Sequence, residues 1–414
     1  MKKVVFIINY FYPDVASTGQ LMTELCKHLQ SDFDITVIAA QPGYAGQRKI
    51  VNQVFEKDYL ENIKIIRIRL PEVDKTSKVS RIKYIFSYFL LAILALLKER
   101  DVNVIYTISQ PPVLGGLIGT VGKFLKRSKH IYNVQDFNPE QAAAIGYTNK
   151  EFIYKIAKKI DMWNCKFSDK IIVVGNDMSE TLKSRFSGKK VPNYVVINNW
   201  TNEKEIIPLE KTDSNIQQFL EQNGLKEKFI VMYSGNIGLY YDLENIIRIT
   251  EHFIEYKNLA FVFIGEGAVK KEMQTFVQQK NVSNVYFLPY QPKEFIKYSL
   301  NAADVHLVVN QKGIKGVSVP SKIYGVMGAG KPILGVLEQG SEAQMLISKS
   351  NCGLVVEPKE YIKIIETIQN LYNMDSEKLK KLGRNGRDYL DQHLKREISI
   401  NKYREVLRKV SEIN

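Results

Sequence analysis

Cysteine is scarce in this chain: three residues in 414, Cys26, Cys165 and Cys352, all far apart. That spacing excludes a disulfide framework and a cysteine-held zinc site, and it suits a reducing cytoplasm. Histidine is equally thin, five residues with no paired spacing, which argues against a metal held by the protein. The run YIFSYFLLAILALL at 84–97 is 14 residues long, with Ser87 its one non-apolar member. Spanning a bilayer takes about 20 apolar residues, so the run is too short to cross. The opening MKKVVFIINYFYPD shares only its two lysines with a signal peptide. Asn9 interrupts its short apolar run and no small-residue cleavage site follows, so it reads as a first β-strand. No internal repeat or low-complexity segment is visible.

What is present describes a soluble globular chain: 45% hydrophobic and 25% charged residues. At this length two domains are expected, because one ordinary core does not grow so large. The formal charge of +14 is uneven. Residues 1–200 hold 29 Lys and Arg against 18 Asp and Glu, and residues 201–414 hold 29 against 26. A basic first half implies an anionic partner, either nucleic acid or an anionic membrane surface. Nucleic acid is the weaker candidate. Lysine dominates over arginine, whereas base edges are read by arginine, and no stripe of aromatics alternates with Arg. Lys75, Lys78, Arg81 and Lys83 precede the 84–97 run, and Lys98 and Arg100 follow it. It reads either as a buried crossover helix or as an interfacial helix with its cations on anionic lipid. Both hold if one face packs on a sheet and the rest touches lipid.

In the first half, apolar runs at 4–8, 35–39, 63–68, 102–107, 130–134, 171–174 and 194–197 read as buried strands. Helical periods separate most of them, at 18–29, 79–99, 113–125, 150–167 and 178–186. Continuous apolar strands alternating with helices predict a parallel sheet covered on both faces. The polar stretch from Asn198 to Lys204, with Pro208 beyond it, reads as a linker. The pattern then restarts, with strands at 229–233, 260–264, 285–288, 305–309, 333–336 and 353–356, and helix from Tyr361 to the end. Two doubly wound domains are expected to face each other across a cleft, with ligands beyond the carboxyl ends of the strands.

The stretch VNQKGIKGVSVPSKIYGVMGAGKPILG at 309–335 is the centre of the expected site. It has no acidic residue from Asn310 to Leu337 but carries Lys312, Lys315, Lys322 and Lys331. Ser321 is placed to cap a short helix whose first N–H groups, dipole and lysine make an anion site for a phosphate or pyrophosphate. A tight corner whose glycines only permit close packing is the alternative. A second phosphate cradle is expected at Ser234-Gly235-Asn236-Ile237-Gly238, ahead of a helix capped by Asp242. Gly265-Glu266-Gly267 is half of a dinucleotide fingerprint with Lys270 in its sixth position, so it reads as a tight turn. Ser17-Thr18-Gly19 opens the first helix, as a substrate-facing loop or simply a cap. Asp136, after the strand at 130–134, could handle a proton or a developing charge, or serve a turn. The Asp32-Phe33-Asp34 pair has metal-binding spacing, but it sits at the wrong end of the sheet and reads as structural.

In this order and spacing, the pieces resemble glycosyltransferase family 4, retaining enzymes of the two-domain GT-B fold, over nearly the whole chain. The likeness is greatest to bacterial transferases of O-antigen and capsule assembly, including L-fucosamine (N-acetylfucosamine) transferases. It is carried by Tyr10-Phe11-Tyr12-Pro13 with Gly19, by Gln135-Asp136-Phe137-Asn138-Pro139-Glu140 and by Val196-Ile197-Asn198-Asn199-Trp200. The second half adds the Gly235 loop, Gly265-Glu266-Gly267, Val319-Pro320-Ser321-Lys322, the segment 327–333 and Asn351-Cys352-Gly353. The resemblance implies an α/β GT-B architecture with an acceptor-binding domain at 1–198 and a nucleotide-sugar domain at 199–375. Helices at 376–414 would cross back to the first domain. It implies a UDP-linked donor as substrate, with no cofactor and no metal. Gly235, Asn236 and Gly238 would face the diphosphate, with Lys322 and Ser321 beside it. Backbone near Tyr290 would read the base, and Glu342 would hold the ribose or the sugar.

On the acceptor side the resemblance implies Ser17, Thr18, Gly19 and Glu140, with Asp136 and Lys322 catalytic. It further implies a polyprenyl-linked acceptor and a peripheral position on the inner face of the cytoplasmic membrane, with no nucleic-acid partner. The transferred sugar would be an N-acetylated amino or deoxy-amino sugar. Two positions depart from the pattern. The usual pair of glutamates eight residues apart is missing, its second place being Gly325, and the usual His beside the first-domain Asp is Gln135. A UDP-sugar epimerase of the same fold and a non-catalytic nucleotide-sugar-binding protein are the rival readings.

Overall fold

Every apolar run read as a strand in the first half forms a strand of one sheet. The computed structural model describes residues 1–14, 16–43, 53–72, 77–144, 146 and 151–412. The strands are β1 (Lys3–Ile7), β2 (Asp34–Ala40), β3 (Phe55–Leu60), β4 (Ile63–Ile68), β5 (Val104–Ile108), β6 (Lys129–Val134), β7 (Lys170–Val173) and β8 (Tyr194–Val196). Their order is β3-β4-β2-β1-β5-β6-β7-β8. All neighbours are parallel except β3 and β4. Val, Ile and Phe fill the central strands because helices cover both faces. The structure adds β3, which the apolar pattern does not reveal. Its sequence FEKDYL contains no continuous apolar run, as suits a half-exposed edge strand.

The second sheet follows the same logic. It comprises β9 (Phe229–Ser234), β10 (Leu259–Ile264), β11 (Val285–Leu288), β12 (Val305–Val309), β13 (Ile333–Val336) and β14 (Gly353–Val356). Its order is β11-β10-β9-β12-β13-β14, all parallel. The chain divides into two compact units, residues 1–198 with 400–414, and residues 199–399. Both are doubly wound α/β structures, and the fold class is GT-B. The helix Ser376–Tyr389 belongs to the second unit, and only residues from Ile400 onward join the first.

The stretch after Asn198 is not a loose linker. Asn199, Trp200 and Glu203 are buried. Within the second unit the Arg387 guanidinium donates to the carbonyls of Glu203, Ile206 and Gly328, and pairs with Asp391. The boundary between the units does fall at its start, as the linker reading expects, and the stretch is tied down by its own carbonyls and by the Glu203 carboxylate, which accepts from Arg396 N–H at 3.2 Å.

The helix Lys78–Lys98 has 21 residues, longer than the apolar run inside it. By length and composition alone, its segment Val79–Lys98 could cross a membrane. It is nonetheless tied to the sheet: Tyr88, Ala92, Ala95 and Leu96 pack in one core with Ile38, Ile66 and their neighbours. Ile82, Phe86, Leu90 and Leu94 stay exposed on the opposite side. One face of the helix thus packs as the crossover reading expects, while the other is apolar and exposed. Lys75 and Lys150 lie outside the described residues.

The last helix, Arg396–Glu412, is anchored in the first unit by Tyr403. Its ring is fully buried 6.4 Å from that of Tyr106, and its hydroxyl accepts from Asn133 Nδ2 at 3.1 Å. Arg404 and Arg408 pair with Asp32 at 2.8 and 2.5 Å, which gives the Asp32-Phe33-Asp34 motif a structural task. Tyr403→Ala is expected to destabilise the first unit by about 3–5 kcal/mol, as for a buried aromatic. Arg408→Ala, removing an exposed partner, is expected to cost less than about 1 kcal/mol. Urea unfolding of the two variants checks this; equal losses would show that the ion pairs, and not the buried ring, fasten the helix.

Candidate functional site

In the second unit, three strand ends bring their loops together. Gly235 follows β9 with φ +145°, and Gly265 follows β10 with φ +141°, conformations that favour glycine. A Cβ at Gly265 would lie 1.9 Å from the Gly235 carbonyl oxygen, and one at Gly267 would lie 2.1 Å from that of Ile237. The two loops are zipped by Ile237 N–H to Glu266 O at 2.9 Å and Val269 N–H to Ile237 O at 3.2 Å. Gly265-Glu266-Gly267 is thus the close-packed turn that its half-fingerprint suggests. Tyr290, after β11, donates its hydroxyl to Glu266 O at 3.3 Å. Asn236 is exposed and folds its side chain over the buried Gly238.

Lys322 reaches this loop edge from the 309–335 stretch. Its Cε and Nζ would lie 3.4 and 3.5 Å from a Cβ at Gly235. The Nζ sits 3.6 Å from the ring centre of Tyr233 and 4.4 Å from that of Tyr241. Although Lys322 as a residue is half-buried, its Nζ is buried and has no hydrogen-bond partner. Burial holds its ammonium well below its ordinary 10.5. Two ring faces return part of the lost hydration to the cation but supply no anion. The sequence shows the lysine but not its walls. Tyr233 reads there as one more apolar strand residue, and Tyr241 as part of a loop.

Other expected features differ in detail. Ser321 precedes the helix Lys322–Gly328 in a helical conformation, and its side chain makes no cap. Asp242 has φ +55° and does not cap the helix Leu243–Ile246. Its carboxylate accepts instead from Tyr361 and Asn245, at 2.7 and 2.6 Å. Part of the acid-free loop is tied down: Glu338, just past it, accepts from the backbone N–H groups of Gly313 and Lys315. Lys315 Nζ donates to Gln339 O. Glu342 begins the helix Glu342–Ser350 and is 3% exposed, near Tyr389, whose phenol is raised first by burial and then by the Glu342 charge.

In the first unit, Asp136 and Gln135 follow β6. Ser109 Oγ, after β5, accepts from both of their N–H groups at 3.1 Å. Asp136 is half-buried, and its Oδ1 accepts weakly from Gln141 at 3.4 Å. Ser17 and Thr18 lie inside the first helix, Ser17–Leu29, whose N-cap is Ala16. Gly19 is buried there because a Cβ would lie 3.0 Å from Tyr10 O. Glu140 is committed elsewhere. Its two oxygens pair with Arg185, at 3.0 and 2.5 Å, and with Lys158 at 3.2 Å. Arg185 also pairs with Asp161 at 2.6 Å and stacks on Phe137. Glu140 therefore helps to fix the 136–140 turn. Among the described residues, no group of three or more His, Cys, Asp or Glu side chains is placed to hold a metal ion.

Residues 215–389 match the family model described as Glycosyl transferases group 1. This segment is similar to a group 1 glycosyltransferase domain. It contains β9 to β14, the Gly235 and Gly265 loops and Lys322. Across 407 residues, 97% of each chain, the protein is 26% identical to a glycosyltransferase named WbjE from Pseudomonas aeruginosa. It is 22% identical over 386 residues, 89% of this chain and 91% of the other, to WcaI of Escherichia coli strain K12, named as a colanic acid biosynthesis glycosyl transferase. The structure is also similar to Anabaena HepE, crystallised with UDP and glucose. The TM-score is 0.74 with 14% identity, and each chain is covered in full, a likeness of fold.

A buried amine without a partner costs stability in the second unit. Lys322→Met is expected to stabilise the ligand-free protein by about 1–3 kcal/mol at neutral pH, because burial without an acceptor disfavours the ammonium in the folded state relative to the unfolded chain. The gain shrinks as pH rises toward 10.5, where the unfolded lysine also loses its proton. Chemical denaturation at two pH values tests this; a destabilised variant would mean that Lys322 already has its partner.

Proposed function

We propose that this protein is a retaining glycosyltransferase that moves a sugar from a UDP-linked donor to a lipid-linked glycan during assembly of a bacterial surface polysaccharide. The observation that carries the reading is the partnerless Lys322 amine beside Gly235, at the carboxyl ends of parallel strands. Such an amine is completed by an anion, and a diphosphate brings two charges and several acceptor oxygens. The name of WcaI supports the pathway, and the UDP and glucose in HepE support the donor class.

In this reading the backbone of Gly235, Asn236 and Gly238 approaches the diphosphate, while Lys322, next to Ser321, supplies the charge. As the bond from the sugar to the diphosphate breaks, negative charge grows on the leaving oxygen. A lysine already in place stabilises it without reorganisation and without a metal. Backbone near Tyr290, a residue 49% exposed after β11, reads the base in this proposal, and the buried Glu342 holds the ribose or the sugar. The departing phosphate accepts the acceptor's proton, which removes the need for the missing His and glutamate pair. In the first unit Asp136, held by Ser109, is the catalytic carboxylate of this reading, and Ser17, Thr18 and Gly19, the last packed on Tyr10, belong to the acceptor side. The transferred sugar is an N-acetylated amino or deoxy-amino sugar. The enzyme works from the inner face of the cytoplasmic membrane, where a polyprenyl-linked acceptor resides.

A thermal-shift panel of UDP, GDP, ADP and dTDP, with and without EDTA, tests the donor. A rise selective for UDP and indifferent to EDTA is expected, and Lys322→Met should abolish it. No rise with any nucleotide would sink the reading. Asp136→Asn should leave the UDP shift intact while lowering turnover on a lipid-linked acceptor by about 10²-fold or more, a scale typical of a lost charge or proton contact. Conversion of the donor in the absence of acceptor would instead favour the epimerase.

A further inference from the structure

Three helices of the first unit lie side by side: Lys78–Lys98, Leu114–Lys126 and Glu151–Phe167. Gly122 of the middle helix lets Leu96 approach, and Gly116 does the same for Asn164. Their inner faces join the sheet; their outer faces are apolar. On the first helix Ile82, Phe86, Leu90 and Leu94 recur every four residues, on one side. The middle helix exposes Phe124 and Leu125. The third exposes Phe152, Ile156 and Trp163, of which Phe152 is 73% and Trp163 57% accessible. The three faces meet at the C-terminal ends of the helices. The Phe167 ring lies 5.7 Å from that of Phe124 and 5.0 Å from that of Trp163, and Lys126 Nζ donates to Leu97 O.

Charge decides what covers this face. Across the three helices Glu151 is the one exposed acid, and it pairs with Lys155. Arg81, Lys83, Lys98, Lys159 and Lys166 are exposed around the apolar strip. A second copy of the chain, docked by twofold symmetry, would set these cations against their own counterparts. An anionic lipid surface satisfies both features, taking the apolar side chains at the headgroup boundary and the cations on its phosphates. Trp163 has the amphipathic ring that favours that boundary.

We propose that the outer faces of these three helices form one docking surface for an anionic lipid bilayer, lying on it rather than crossing it. The core residues Tyr88, Ala92 and Leu96 hold the first helix in the plane of the patch. This deepens the reading of a lipid-borne acceptor and rests on it. It is nevertheless measured without donor or acceptor, so the two can fail separately.

Trp163 supplies the probe, since the other tryptophan, Trp200, is 3% exposed. The full chain is mixed with vesicles of phosphatidylcholine alone or with phosphatidylglycerol. Anionic vesicles should shift the emission to the blue, brominated acyl chains should quench it, and Trp163→Phe should remove both effects. Zwitterionic vesicles should bind at least about tenfold less, as should Leu90→Gln with Leu94→Gln, and separately Phe152→Gln with Ile156→Gln. Melting curves show whether these variants stay folded. If they do not, Lys159→Gln with Lys166→Gln, exposed cations alone, should still weaken binding. Vesicle binding with unchanged Trp163 emission would overturn the surface, as would equal binding to neutral lipid. So would a lipid-free dimer dispersed by the Leu90 and Leu94 changes, which would give the face to a second copy.

Discussion

A lysine amine buried against two tyrosine rings, with no acceptor in reach, is the constraint that organises the second unit. An ammonium loses much of its hydration there, and two aromatic faces return only part of it. The surrounding chain is arranged to hold this unfavourable group in one place. The Gly235 loop is pinned to the Gly265 loop by backbone hydrogen bonds, and the Tyr233 hydroxyl donates to the Asn236 carbonyl at 2.6 Å. Gln311 N–H, on the other side, bonds to Tyr240 O. Strain of this kind belongs at sites where a ligand supplies what the free protein lacks.

The glycines of that edge then have distinct tasks. Gly265 and Gly267 allow two loops to pass within backbone contact, whereas Gly235 leaves space next to the amine. A loop rich in lysine is not by itself an anion site. Lys315 is spent on a carbonyl and its loop on Glu338, so only Lys322 brings a bare charge to the Gly235 loop. In the first unit Glu140 shows the reverse. A carboxylate in a suggestive motif is consumed by Arg185 and Lys158, and the motif's contribution is to shape the turn that carries Asp136.

The first unit solves a second problem with one helix. The segment Val79–Lys98 has the length and composition to cross a bilayer, yet only 22% of it is buried in the protein. That is too little for an ordinary core helix and too much for a free membrane span. The small residues Ala92 and Ala95 keep one side close to the sheet, while large aliphatic and aromatic side chains face outward. A helix so divided belongs to a surface, and its neighbours carry the same division.

Much of this was legible in the residues alone. Parallel strands buried on both faces must be apolar throughout, so every strand of the second sheet appears within a residue of its place. Gly235 and Lys322 stand out because phosphate chemistry needs close backbone and a cation. What the sequence could not show depends on groups far apart in the chain. The walls of Tyr233 and Tyr241 around Lys322, the capture of Glu140 by Arg185, the anchoring of residues 199–206 by Arg387 and the edge strand β3 all arise from contacts with no local signature. Hydrophobic periodicity is set residue by residue and survives in one dimension; the partner of a buried charge is set by folding, because only the assembled core determines which groups lose their water together.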